Sequence, residues 1–226
     1  MKYDAQTGWH LPDAEQHLID WMVNVNQSLN GRLTYQRRKY EFALREVKQR
    51  RVAVDIGAHV GLWAWPMSFD FQRVVAFEPL AAHVECFNEN LVDAESVELH
   101  KCALGPEEGE AVVRTRTPDS SGDSGVEPEG SEAHGETVPL RTLDSFELED
   151  VDFIKCDCEG FEIFVMRGDV ETIKRWKPVI IVEQKPETGM EERYGIGTTD
   201  AVKFLQTLGY KVARCIQGDY IMVPGA

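Results

Sequence analysis

From residue 51 onward the chain alternates short apolar runs with amphipathic stretches, and that alternation constrains its fold more than any other feature. Residues 51–56, 73–77, 97–100, 151–156 and 178–182 are short and rich in β-branched or aromatic residues. Strands buried on both faces read this way. The segments from Leu62, Leu80, Phe161 and Thr198 carry helical patterns between or after them. Strand, helix, strand, helix is the order of a parallel sheet covered on both faces, so an α/β fold is expected. No apolar run approaches the roughly 20 residues that cross a bilayer. The strongest, Val179-Ile180-Ile181-Val182, suits a buried strand, and residues 1–16 hold no apolar signal core. A cytoplasmic protein without a membrane partner is expected.

The remainder divides into three parts. Residues 1–50 read as a helical segment capping the substrate side. In it Leu18, Trp21, Met22, Val25 and Leu29 follow three-and-four spacing, Asn30-Gly31 ends the run, and Tyr40, Leu44 and Val47 mark a second helix. Residues 51–226 form the main domain. Within it, 111–116 and 137–141 suggest two further strands around 117–136, which is rich in Gly and Ser and carries six acids without a Lys or Arg. That composition predicts a flexible acidic loop, either a lid or a tolerated insertion. Residues 210–213 and 220–223 predict a closing hairpin around Gln217-Gly218-Asp219. The five cysteines show no metal-ligand or disulfide spacing, and Cys156 and Cys158 flank Asp157 on the opposite face of their strand.

The first strand runs into Asp55-Ile56-Gly57-Ala58-His59-Val60-Gly61. Glycine at such a turn lets the backbone pass close under a ligand, and in an open parallel sheet the turn lies at the ligand-binding carboxyl edge. The second strand ends at Glu78, 21 residues beyond Gly57. An acid at about 20 residues reaches a ribose hydroxyl pair, and a carboxylate accepts two hydrogen bonds at once. A dinucleotide site prefers G-x-G-x-x-G with a pyrophosphate over the helix N-terminus. This loop lacks the middle glycine, and Asp55 repels a pyrophosphate. An acid there suits a ligand with a positive end, such as the amino or sulfonium group of S-adenosylmethionine. Residues 152–162 then carry an apolar strand into Asp157 and Glu159, which share a face if the chain stays extended. The ordinary alternative for Glu159 is a cap on the next helix. Glu183 closes the fifth strand in the same way. Acids gathered at a sheet edge cost stability unless they are paired or bind something, so Asp55, Glu78, Asp157 and Glu183 mark a site.

Taken in order, residues 54–61, Ala76-Phe77-Glu78-Pro79, Ala103-Leu104-Gly105, Thr142-Leu143-Asp144-Ser145-Phe146, residues 152–162 and Arg167-Gly168 resemble the motifs of FkbM-type methyltransferases. The resemblance covers about residues 51–183. It implies a class I, Rossmann-like fold with a mostly parallel seven-stranded sheet. It implies S-adenosyl-L-methionine as cofactor, S-adenosyl-L-homocysteine as product, and transfer to a hydroxyl oxygen of a sugar or small metabolite. It also implies Asp55, Gly57 and Gly61 at the methionine end of the cofactor, with Ala58 and His59 between them. Glu78 falls to the ribose beside Pro79, and Ala103 to the adenine. Two departures stand out. His59 occupies a position where the family more often has Asn, either to bond the cofactor carboxylate or to cap the helix, and Cys156 and Cys158 replace aliphatic residues.

Methyl transfer from a sulfonium is an in-line displacement, so alignment and a base for the acceptor hydroxyl are what the protein supplies. Asp157, Glu159 and Glu183 are the catalytic candidates. Where Asp157 binds the cofactor amino group, Glu159 is the better base. His83, on a solvated helix, and His134, in the loop, rank below them. The three acids could hold magnesium, but their spacing does not demand it and no metal is expected. The partner expected is a small-molecule or glycan acceptor, and a homo-oligomer is compatible with this reading. The net charge of −15 repels phosphate backbones, against the pull of eight Lys and Arg in residues 32–51. A nucleic-acid or protein methyltransferase, a nicotinamide oxidoreductase and a non-catalytic binding module are the rivals. Trp9 and Trp21 fit either a sugar-stacking surface or core packing.

Overall fold

The computed structural model describes residues 1–225. β1 (Lys2–Asp4) pairs with β2 (Trp9–Leu11), α1 (His17–Val25) follows, and β3 (Ser28–Leu29) pairs with β4 (Arg32–Leu33) before α2 (Arg37–Leu44). Residues 1–50 are therefore not wholly helical, which corrects the expectation. Asn26 ends α1 in the left-handed region at φ 49°. Asn30 and Gly31, at φ 46° and 84°, turn the β3–β4 hairpin instead. Two successive positive φ values are the demand of a type I′ turn, which Asn-Gly meets at little cost.

The main domain then runs β5 (Val52–Ile56), α3 (Ala64–Asp70), β6 (Arg73–Phe77), α4 (Ala81–Asn90) and β7 (Val97–His100). Next come β8 (Ala103–Leu104), β9 (Gly109–Thr117), β10 (Ser120–Val126) and β11 (Glu136–Arg141). The chain closes with β12 (Val151–Cys156), α5 (Glu162–Gly168), α6 (Val170–Trp176), β13 (Val179–Glu183), α7 (Met190–Tyr194), α8 (Asp200–Thr207), β14 (Tyr210–Ile216) and β15 (Asp219–Pro224). Seven strands form the central sheet in the order β14-β15-β13-β12-β5-β6-β7. β13 to β7 are parallel, while β15 runs antiparallel to both β13 and β14. From β5 the winding goes one way to β6 and β7 and the other way to β12. The carboxyl ends of β5 and β12 therefore flank the switch point, where such sheets bind ligands.

Every residue of β5 and β13 is buried. Burying an aliphatic or aromatic side chain contributes about 1.5–3 kcal/mol, so these strands anchor the two helical layers. One layer gathers Val54, Ile154, Val165 and Leu205, and the other Ala53, Met67, Phe153 and Tyr40. The amino-terminal segment adds a third cluster, in which Trp9, Leu11, Leu18 and Met22 pack on Val60, Leu62 and Cys86. The segment is thereby docked on the loop after β5.

A second sheet has the order β10-β9-β11-β8. Residues 117–136, expected as one flexible loop, contain β10, which folds back on β9 with a register shift between Ser120 and Ser124. Glycine suits this strand at Gly125, where a Cβ would lie 2.5 Å from the Arg116 guanidinium, whereas Gly122 faces open space.

Candidate active site

The loop after β5 is shaped by glycine at two places, with different consequences. Gly57 has φ +73°, and a Cβ there would stand 2.0 Å from the carbonyl oxygen of Asp157. Only glycine lets the ends of β5 and β12 meet so closely. At Gly61, φ +94°, a Cβ would strike Leu91 at 2.2 Å and approach Phe87. Gly61 thus lets α4 close on the loop and does not line the cleft, in contrast to the cofactor contact expected of it.

Gly57, His59, Glu78, Pro79, Ala103 and Asp157, all expected at the cofactor, line one cleft with Phe77, Cys102 and Phe161. Ala58 lines a second lobe with Leu18, Tyr35, Trp63, Lys155 and Glu159, and Gly57, His59 and Asp157 border both. The Glu78 carboxylate is buried and already accepts three hydrogen bonds, from His59 N (2.8 Å), Leu80 N (3.0 Å) and His83 Nδ1 (3.1 Å). A carboxylate offers about four lone-pair directions, so one remains for a ribose hydroxyl. His83 is 3% exposed and supports Glu78, so the expectation of a solvated His83 is corrected. His134 lies exposed, well away in sequence from these groups.

Asp55 lies behind the cleft, fully buried, with Lys155 Nζ 3.4 Å from its Oδ1. Lys155 donates to the carbonyls of Gly57 (2.7 Å) and Ile56 (3.3 Å), which ties the glycine turn to β12. Burial raises the Asp55 pKa while Lys155 pulls it down. For Lys155 burial acts to lower the pKa, and the Asp55 and Asp157 carboxylates outweigh it and hold it above the ordinary value. Asp55 and Lys155 therefore form a charged strut under the loop.

Carboxylate oxygens of Asp157, Glu159 and Glu183 lie within 4.8 Å of one another, whereas Asp55 and Glu78, also expected to converge there, stand outside this cluster. That spacing also suits the oxygen shell of a hard divalent cation. Lys185 pairs with Glu183, and Lys39 with Asp219 beside it. Burial, reinforced by Asp157, pushes Glu159 up to about 8. Burial, then Asp157 and Glu159, push Glu183 up to about 10. The helix-cap role considered for Glu159 is not filled by it: the N-cap position of α5 is Phe161, with no side-chain cap bond, and the Glu162 Oε1 accepts from Cys158 N (2.9 Å) and Gly160 N (3.0 Å) in the turn before the helix. Glu159 and Gly160 are both left-handed, at φ 52° and 100°. A left-handed glutamate is strained, and its carboxylate is turned into the cluster at that cost.

Several residues escaped the sequence reading. Tyr35 lines the second lobe, and its phenol is held well above its ordinary pKa by burial and by Asp157, Glu183 and Glu159. Trp21 packs edge-on against it at 4.8 Å, and Trp9 is fully buried with its indole N–H on Leu33. Both tryptophans are packing residues. Nothing near Tyr35 in sequence announces it, because fold topology brings it to the site, whereas Lys155 stands two residues before Asp157 on the strand already singled out.

The model of the methyltransferase FkbM domain matches residues 55–212. The chain belongs to the FkbM methyltransferase family. Its cofactor is S-adenosylmethionine, and the residues present fit it: a glycine turn that no side chain blocks, the buried Glu78 carboxylate with a free lone pair, and a carboxylate cluster suited to a cationic ligand. The fold is similar to that of an FkbM methyltransferase from Methylobacillus flagellatus KT, at 17% identity and TM-score 0.50. That match covers 76% of this chain, which spans 43% of that protein's length. A precorrin-6y C5,15-methyltransferase from Geobacter metallireducens GS-15 is similar over the whole of both chains, at 18% identity and TM-score 0.51. No curated protein matches the sequence. The sheet order and these likenesses agree on a class I methyltransferase fold, as expected.

Proposed function

We propose that this FkbM-family chain methylates a hydroxyl oxygen of a sugar or small metabolite, with Glu159 as the base. The observation that carries this reading is the carboxylate cluster at the second lobe, where Glu159 is held at about 8. A base with a pKa near the working pH both exists ionised and takes a proton readily. Bound in the cleft, S-adenosylmethionine supplies an electrophilic methyl group on a sulfonium. Glu78 takes a ribose hydroxyl, Gly57 and Ala58 give backbone contacts, and Asp157 takes the cofactor amino group. Glu159 accepts the acceptor proton as the new C–O bond forms. Glu183, paired with Lys185, stands beside Glu159 as a neighbouring acid of the cluster rather than as the base.

The acceptor pictured is a small molecule or a glycan in the cytoplasm, with no part for membrane or nucleic acid. Among the described residues no helix is long and apolar enough to cross a membrane. The test is methyl-tritiated S-adenosylmethionine with fractionated small-molecule and glycan pools, the product bond then assigned by NMR. Label in an O-methyl group supports the reading, and label only on nitrogen or carbon refutes it. Glu159→Gln should lower turnover by roughly 10²–10⁴ and remove the rise in rate with pH through about 8 that deprotonation of Glu159 produces.

A further inference from the structure

β10 is the roof of the cofactor cleft. Ser124, Gly125 and Val126 close the adenine-side lobe, and Gly122 closes the methionine-side lobe. Each lobe holds about 70 Å³, against roughly 300 Å³ at the small end of pockets that take a drug-sized ligand. With the roof in this position the cleft is narrow for a nucleoside-sized cofactor, and lifting of β10 would widen it for entry and for exit.

One buried residue pins that roof. Ser121 N donates to Glu15 Oε2 at 2.6 Å, and the Ser121 hydroxyl donates to the same oxygen. Its single proton is thereby used, so the 2.7 Å contact between Ser121 Oγ and His59 Nε2 has the imidazole N–H as donor. His59 in turn gives its backbone N–H to Glu78 and sets its ring 4.3 Å from that of His83. Glu15 is 1% exposed and also receives Leu18 N at 2.7 Å, at the start of α1. A continuous chain of hydrogen bonds thus joins the ribose acid, the cofactor loop, the roof and the amino-terminal helix. Gln16 N and His17 N both reach the Asp119 carbonyl at one end of β10, and the Tyr194 hydroxyl reaches that of Val126 at the other. These outer bonds leave Ser121 as the fastening nearest the cleft.

We propose that Ser121 is a positioning residue of the cofactor site. Its bonds to His59 and Glu15 latch β10 over the cleft and set the rate at which S-adenosylmethionine enters and S-adenosylhomocysteine leaves. The inference rests on the cofactor binding in this cleft. The latch joins protein groups only, so it opposes entry and exit alike and bears little on the equilibrium. A side chain that merely touched the ligand would change dissociation and affinity together.

The test is stopped-flow mixing of the full chain with S-adenosylhomocysteine, followed by the fluorescence of Trp63, which lines the methionine-side lobe. Ser121→Ala should raise the association and dissociation rates at least tenfold each, with Kd changed less than threefold. Glu15→Gln, which weakens both Ser121 bonds from a residue that lines neither lobe, should accelerate both rates as well and serves if Ser121→Ala does not fold. Rates within twofold of wild type in the variants, or a rise confined to dissociation with a matching loss of affinity, overturn the proposal. Wild-type protein that binds no S-adenosylhomocysteine overturns the cofactor reading itself and takes the latch with it.

Discussion

Replacing Glu159 by Gln removes a carboxyl that the fold holds at a cost once it ionises. Its pKa is raised from 4.5 to about 8, first by burial and then by Asp157 and Glu162. A carboxyl raised in the folded state binds its proton more tightly there than in the unfolded chain. Its contribution to stability is therefore complete below about pH 4.5 and is lost as the pH rises through about 8. Each tenfold in a proton equilibrium is about 1.4 kcal/mol, which bounds the loss at about 5 kcal/mol. Glu159 is partly open to solvent and lies in a cluster with Asp157 and Glu183, so roughly half of that bound, 2–3 kcal/mol, is expected. Urea unfolding of wild type and Glu159→Gln at pH 5 and pH 9 measures it. The variant's advantage should widen by that amount between the two pH values. A gap that stays constant, or one that narrows toward pH 9, refutes the assignment of a raised pKa to this side chain.

Other substitutions probe the frame around the site. Gly57→Ala places a Cβ against the Asp157 carbonyl at a positive φ, so it should lower S-adenosylhomocysteine affinity at least tenfold and depress Tm, as calorimetry and thermal melts will read. Lys155→Met strands the buried Asp55 charge and should cost roughly 3–5 kcal/mol in urea unfolding, most of it recovered when Asp55→Asn is added. Trp9→Ala opens a cavity in the amino-terminal cluster and leaves the Leu33 carbonyl without its indole partner. A loss of roughly 3–5 kcal/mol is expected, with far-UV circular dichroism preserved at low temperature.

The parallel sheet was legible because its inner strands are largely apolar on both faces, as 51–56 and 178–182 show at a glance, while the edge strand β7 carries Glu98 and His100. β10 was not legible, since Ser-Ser-Gly-Asp-Ser-Gly-Val carries loop composition and becomes a strand only through its partner β9. β1 to β4 are two or three residues long, too short for any alternation to show. Leu29 completed a helical spacing by coincidence, and the neighbouring Asn-Gly was a hairpin turn rather than a helix stop. At the site, strand-end acids were readable because a strand's last residue has a known place, the carboxyl edge. Burial within a helix is harder to read: His83 looked solvated because only one face of α4 was weighed. Gly61 looked like a ligand contact because packing glycines and ligand glycines look alike in one sequence. Tyr35 and Ser121 reach the site from distant segments, and only the assembled fold joins them.

The account's central claim is that the cleft at the β5–β12 switch point binds S-adenosylmethionine through Glu78. Calorimetric titration of the purified chain with S-adenosylhomocysteine tests it most directly, run beside Glu78→Ala. One molecule bound per chain at micromolar affinity, with binding abolished in Glu78→Ala, is the predicted result. No heat of binding in the wild type, or equal affinity in a folded Glu78→Ala, would contradict it.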